Sequence, residues 1–247
     1  MIKPKGVKLG FGNPDVQGYS VILDYYSGTR INSDRTSSIP LAQYWKDYQK
    51  RLLEIEHQTG LSLEHPQIYF EYATESWEDS NASMSDIMIV DDGIRVAIEA
   101  KFTEFSRFGF QTIGEWLNLP NGNRNNRMRV LMQWVNKIVP YAEGALTNID
   151  DLPYQFVHRL ACACDKNPAH AVLLYQLFID DETRPTLDKM LSVLAAAKDR
   201  INPKSNLKVL FQQIECKQVK HYAGDKLKNI FFDMKSDRGG AYHFPGD

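Results

Sequence analysis

The sequence predicts an α/β protein, a mixed central β-sheet flanked by helices with a helical insertion, in one domain of 247 residues. Three observations predict it. Residues 85–104, SDIMIVDDGIRVAIEAKFTE, place two apolar runs on either side of Asp91-Asp92-Gly93. Asp-Gly is a favoured hairpin turn, so the stretch reads as two antiparallel strands. Residues 40–59 carry Leu41, Tyr44, Trp45, Tyr48, Leu52 and Ile55 at helical spacing, which makes one apolar helix face. Residues 169–215 read as strand, helix, strand, the pattern of a parallel crossover.

In chain order, residues 1–40 are rich in Gly, Pro, Asn, Asp and Ser and form an N-terminal arm. Their one apolar run, 19–26, is read as a strand or an ordered arm. Residues 41–118 form the αβββ core. Pro40 opens its helix and Gly60 closes it. Glu56 sits at the edge of the apolar face and Glu54 points away. Residues 66–74, PQIYFEYAT, read as a strand that carries Glu71, with Glu75 at its end. The hairpin follows. Residues 102–110 hold aromatics and Arg107, and 111–117 form a short helix beginning at Gln111.

Residues 119–165 are the helical segment. The loop PNGNRNN leads into a helix over 127–141 with Val130, Leu131, Trp134, Val135 and Ile138 inside. Arg124, Arg127 and Arg129 cluster at its start, where exposed backbone N–H groups add positive potential. They are read either as phosphate contacts or as a solvated helix end. Residues 150–165 are helical. Residues 166–247 add a strand (169–179), a helix (186–201), a strand (206–215) and a tail. The tail carries Lys220, His221, Tyr222, Lys226, Lys228, Phe231 and Phe232, read as an edge strand with solvated lysines.

The hairpin also holds polar residues. Asp86 stands near its start, and Glu99 and Lys101 at its far end. A carboxylate among buried apolar residues needs a partner, because an unpaired buried charge is costly. A divalent cation can partner two carboxylates; a cross-strand ion pair at the surface is the plainer reading. An acid-x-Lys tripeptide alone carries little information, since Glu215-Cys216-Lys217 and Asp233-Met234-Lys235 have the same form. Only Glu99-Ala100-Lys101 ends one strand of a hairpin whose other strand begins with an acid.

Asp86 followed by Glu99-Ala100-Lys101 resembles the PD-(D/E)xK nuclease superfamily, with its restriction-endonuclease-like core. The resemblance covers about residues 41–140, closely at the hairpin and loosely at the flanks. Ser85 stands where the named motif has proline; the literal Pro14-Asp15 lies far from any Glu-x-Lys. The resemblance implies a Mg²⁺-dependent DNA endonuclease. Asp86, Glu99 and the backbone carbonyl of Ala100 would hold Mg²⁺, with Glu56 or Glu71 as a further acid. Lys101 would orient or deprotonate the attacking water. Arg107, Gln111, Arg124, Arg127 and Arg129 would contact nucleic acid. After Gln111 come Glu115 and Trp116 rather than the tyrosine that RecB-type members carry. Double-stranded DNA is the expected partner, and a homodimer the expected assembly. A repair or recombination nuclease of the same fold, and a non-catalytic nucleic-acid-binding module, are the rival readings.

Composition bounds these expectations. A net charge of −2 gives no global sign of nucleic-acid binding, so a local basic face would have to supply it. The 43% hydrophobic and 24% charged content is ordinary for a globular domain. No apolar run is long enough for a membrane span, and the first fifteen residues lack the apolar core of a secretory signal. Three cysteines do not build a disulfide framework, which predicts a cytoplasmic protein with reduced thiols. The six histidines show no metal-ligand spacing. No glycine-rich phosphate loop or nucleophile elbow supports a small-molecule enzyme.

Overall fold

A computed structural model of the chain describes residues 6–28, 31–75, 83–105, 111–227, 229–236 and 239–246. It is an α/β structure with a seven-stranded mixed sheet between two helical layers. In chain order, β1 is Lys8–Phe11, β2 Asp15–Val16, α1 Tyr19–Ser27, α2 Ser38–Tyr44 and α3 Tyr48–Thr59. Then come β3 Gln67–Thr74, β4 Ser83–Asp91, β5 Ile94–Lys101, α4 Ile113–Leu117, α5 Arg124–Ile138 and α6 Tyr154–Ala163. The chain ends with β6 His170–Ile179, α7 Arg184–Ile201, β7 Leu207–Glu215, β8 Lys217–Gln218, α8 Asn229–Lys235 and β9 Tyr242–His243.

The sheet runs β2-β1-β3-β4-β5-β6-β7. The β3–β4 and β4–β5 pairs are antiparallel, and β5, β6 and β7 are parallel. The hairpin closes at Asp91↔Ile94 with Gly93 at φ 66°, the left-handed region that glycine enters without strain. The β6–α7–β7 crossover is the parallel unit expected from the sequence.

Side chains alternate between the faces of each strand. Ile87, Ile89, Val96 and Ile98 join one core with Ile22, Tyr26, Trp45, Leu52 and Phe231, from α1, α3, α8 and the 3₁₀ turn after α2. Met88, Ala97, Leu173 and Tyr175 join the other with Trp134, Phe156, Leu160 and Leu194 from α5, α6 and α7.

Three expectations are corrected. Residues 19–26, read as a strand or arm, are helical: Ile22, Leu23 and Tyr26 repeat at helical spacing and are buried together. The helix expected from Pro40 to Thr59 begins at Ser38 and breaks at a 3₁₀ turn over Trp45–Asp47. Asp47 restarts it by accepting from the Lys50 N–H at 3.1 Å, an N-cap inside the predicted helix. The tail is no edge strand of the main sheet. It forms α8 and a two-stranded β8–β9 ladder, with Tyr222, Phe231 and Tyr242 buried in the first core. Among the described residues, no helix is long and apolar enough to cross a membrane.

Candidate active site

The site lies where β4 parts from β5. Phe70 pairs with Ile87, and Ile87 with Ile98. One step further along, Glu71, Asp86 and Glu99 fall in one row across β3, β4 and β5. The ladders do not run through this row. Pairing between β4 and β5 ends at Ile87↔Ile98, and pairing between β3 and β4 passes over Glu71 before resuming at Tyr72↔Ser85. Glu71 has φ 50°, an uncommon conformation for a residue with a Cβ, and such strain gathers at functional sites.

Asp86 takes the place of the missing ladder bond: its Oδ2 accepts from the Ala100 N–H at 2.7 Å. In an extended strand the N–H and C=O of one residue point to the same side. The Ala100 carbonyl therefore faces the same gap as the Asp86 carboxylate.

Glu99 and Lys101, two residues apart on β5, share a face. Glu99 is 2% and Lys101 7% exposed. Lys101 Nζ donates to Glu99 Oε1 at 2.7 Å, and Arg159 Nε of α6 donates to Glu99 Oε2. Tyr175 stands opposite Glu99 on β6 and is fully buried, as is Tyr26 below Glu71. Burial pushes both phenols well up, with neighbouring carboxylates adding to it, so both remain hydrogen-bond donors.

Three carboxylates, Glu71, Asp86 and Glu99, face two cations, Lys101 and Arg159. The protonation pattern follows from that imbalance. Burial raises Glu99, but Lys101 and Arg159 outweigh it and hold Glu99 down at about 2. Burial, then Glu99, pushes Asp86 up to about 8, and Lys101 and Arg159 offset this only in part. Burial and Glu99 also raise Glu71, against a hydrogen bond from Tyr26. Burial alone would lower Lys101, but Glu99 and Asp86 raise it. Burial and the like charge of Glu99 thus favour the protonated form of Asp86 over that of Glu99.

The donor chemistry fits Mg²⁺: hard oxygens from Asp86, Glu99 and the Ala100 carbonyl, with Asp86 and Glu71 partly open to solvent. The two Glu99 oxygens keep a lone pair each beyond their N–H bonds. Among the described residues, no three His, Cys, Asp or Glu side chains form a metal-ligand group. The set is therefore a carboxylate pair with a backbone carbonyl, open on one side.

The other residues singled out in the sequence are distributed differently. Of the two candidates for a further acid, Glu71 is in the row. Glu56 is at the end of α3 and accepts from the Leu63 N–H at 2.6 Å, which fixes the α3–β3 loop. Arg124 and Arg129 are exposed on the first turns of α5, whereas Arg127 Nη1 donates to the Leu119 carbonyl at 2.7 Å. Gln111 is exposed, and its backbone carbonyl accepts from the Tyr154 N–H at 3.0 Å. Arg107 lies outside the described residues.

Arg159, Tyr26 and Tyr175 escaped the sequence reading. A signal existed for Arg159, a charged residue between Val157 and Leu160 on a helix whose neighbours are almost all apolar. The tyrosines look like any other core aromatic.

A family model described as a domain of unknown function (DUF6946) matches residues 19–224, and the chain belongs to that family. No curated protein and no solved structure matches it.

Proposed function

We propose that this DUF6946 chain is a Mg²⁺-dependent endodeoxyribonuclease with a restriction-endonuclease-like core. One observation carries the reading. Asp86, Glu99, the Ala100 carbonyl and Lys101 meet at the point where the β4–β5 hairpin opens. The sequence resemblance needs those groups together, and a surface ion pair does not: Glu99 and Lys101 are buried.

In this reading Asp86, Glu99 and the Ala100 carbonyl hold the ion, and Glu71 stands in the same row without completing a three-acid set. Bound there, Mg²⁺ would lower the pKa of a coordinated water and offset charge on the scissile phosphate. The chain's own groups do the rest. Lys101, kept protonated by Glu99, orients the attacking water and faces the phosphate as a cation. Arg159 anchors the second Glu99 oxygen, so the carboxylate keeps one orientation. Tyr175 and the apolar floor of Ala97 and Leu173 keep bulk water from the buried side. Arg124 and Arg129 supply exposed positive charge on a chain of net charge −2. The partner is double-stranded DNA, cut by a pair of copies acting on the two strands.

The test is cleavage of supercoiled plasmid and phage DNA with Mg²⁺ or with EDTA. Discrete Mg²⁺-dependent fragments are expected. A smear would replace the sequence-specific reading with a non-specific or structure-directed nuclease. No cleavage of any DNA by a folded, Mg²⁺-loaded protein would contradict the proposal.

A further inference from the structure

The inward face of α5 is accounted for by packing: Val130, Leu131, Trp134 and Ile138 are buried in the second core. Its outward face is not. Asn125, Arg129, Met132 and Asn136 follow one another at steps of four, three and four residues, so they form one stripe, and all four are exposed. Gln133 borders the stripe and is half-buried. Met132, in its middle, is 59% exposed. Among the described residues, the side chains of Asn125, Arg129, Gln133 and Asn136 make no hydrogen bond or ion pair.

The charge on this helix is one-sided. Its 15 residues hold Arg124, Arg127, Arg129 and Lys137 and no acid. Lys137 is paired with Asp165 at 2.7 Å, and Arg127 is bonded to the Leu119 carbonyl, which leaves Arg124 and Arg129 exposed. On the same layer, α7 balances its cations with Asp188 and Asp199. A face that serves only solubility is expected to mix both signs, as α7 does. The helix is also aimed at the site. Its last turn is tied near the start of β5, because Lys137 holds Asp165, which stands 3.8 Å from Arg95. Further back, Trp134 packs on His158 with centroids 4.5 Å apart, and the next residue, Arg159, holds Glu99 near the end of β5. So α5 runs against β5, and its Arg124–Arg129 half lies toward the end of the sheet that carries the candidate active site.

We propose that the outward face of α5 reads base edges in the major groove of duplex DNA, an assignment that takes its substrate from the nuclease reading above. The groove is about 12 Å wide and admits one helix. Asn amides pair with adenine edges, Arg with guanine, and an apolar side chain such as Met132 suits a thymine methyl. From Asn125 to Asn136 the stripe rises about 16 Å, roughly five base steps. Arg124, on the first turn, meets the phosphate backbone and supplies affinity without sequence information.

The experiment is selection of duplex DNA from a random pool by the full chain in EDTA, so that no reaction proceeds. Fluorescence anisotropy then measures binding to the selected duplex, to an unselected duplex and to an RNA duplex of the selected sequence. The selection should return a consensus. Asn136→Ala and Arg129→Gln should each weaken the selected duplex about tenfold or more, and the unselected duplex less. Arg124→Gln should weaken both alike and lower the slope of log affinity against log salt by about one. Lys189→Gln, on α7, should change neither. The RNA duplex should bind at least about tenfold more weakly, because its major groove is too narrow for side chains to read. A pool that returns no consensus, equal affinity for the RNA duplex, or undiminished binding of the selected duplex by both Asn136→Ala and Arg129→Gln overturns the proposal. Selective binding by a chain that cleaves no DNA would uphold it and contradict the nuclease reading alone, and cleavage without selective binding would do the reverse.

Discussion

The ends of β5 and β7 carry the same short sequence pattern in opposite settings. Glu99-Ala100-Lys101 ends a strand buried at every position, whereas Glu215-Cys216-Lys217 ends one that is only partly buried and whose last residue, Glu215, is exposed. Glu215 pairs with Arg184, and about half of each side chain is exposed. Glu99 has two cations on it, both largely buried, and a second carboxylate in its row. The third copy of the pattern separates again, with Asp233 held by Tyr222 at 2.7 Å and Lys235 by Asp24 at 2.6 Å. What sets the end of β5 apart is not the tripeptide but the parting of β4 from β5, which brings Asp86 and the Ala100 backbone into the same gap.

Stability is where the two ends should differ most. Lys101→Met leaves Glu99 with Arg159 alone and strips a buried pair of one partner, a change expected to cost on the order of 3 kcal/mol. Arg184→Ala at the end of β7 should cost under about 1 kcal/mol, because water already screens that pair. Urea unfolding of both variants measures the contrast, and equal losses would break it.

The next effect is the pH dependence of Asp86. Its folded pKa is raised from 3.8 to about 8, so the folded chain binds a proton that the unfolded chain has released. Stability is then lost as pH rises between these two values and levels off above them. Glu99 works in the opposite sense: with its folded pKa lowered from 4.5 to about 2, its contribution is lost only as pH falls through that acid range. Asp86→Asn should remove the slope between pH 5 and 8 and leave the acid limb alone. Denaturation midpoints across that range decide it, and an unchanged slope would place the proton elsewhere.

A related prediction concerns the ion. With the Asp86 pKa raised to about 8, Mg²⁺ binding there should release up to about one proton and should tighten toward pH 8. Calorimetry in two buffers of different ionisation enthalpy reports the release. Asp86→Asn should abolish it, and Glu215→Gln should not change it. The smallest effect expected is that of Glu56→Gln, which should loosen the α3–β3 loop slightly without touching Mg²⁺ affinity.

The parts of this account that were legible in the sequence are those fixed by local pattern. The Asp-Gly turn and its two apolar runs specify β4 and β5, and alternation along them puts Glu99 and Lys101 on one face. The strand–helix–strand spacing from residue 169 onward likewise gives the parallel extension. Elements decided by tertiary packing were not legible. Tyr19–Ser27 is rich in residues that favour strands, yet it is helical because one face of it packs on Phe70 and Phe231. Asp47 interrupts a helix whose apolar stripe runs on unbroken. Arg159 reaches Glu99 across 60 residues of sequence, and no local rule connects them. Choosing between Glu56 and Glu71 needed the register of β3 on β4, which sequence spacing alone does not set.

On the proposed function, the end of β5 hydrolyses phosphodiesters and the end of β7 does not. The most direct measurement is plasmid cleavage in Mg²⁺ by the wild type, Lys101→Met and Lys217→Met, with each variant's folding checked by its melting curve. The account predicts Mg²⁺-dependent cleavage by the wild type and Lys217→Met, and loss of about a thousandfold or more in Lys101→Met. Cleavage by Lys101→Met at the wild-type rate would contradict it.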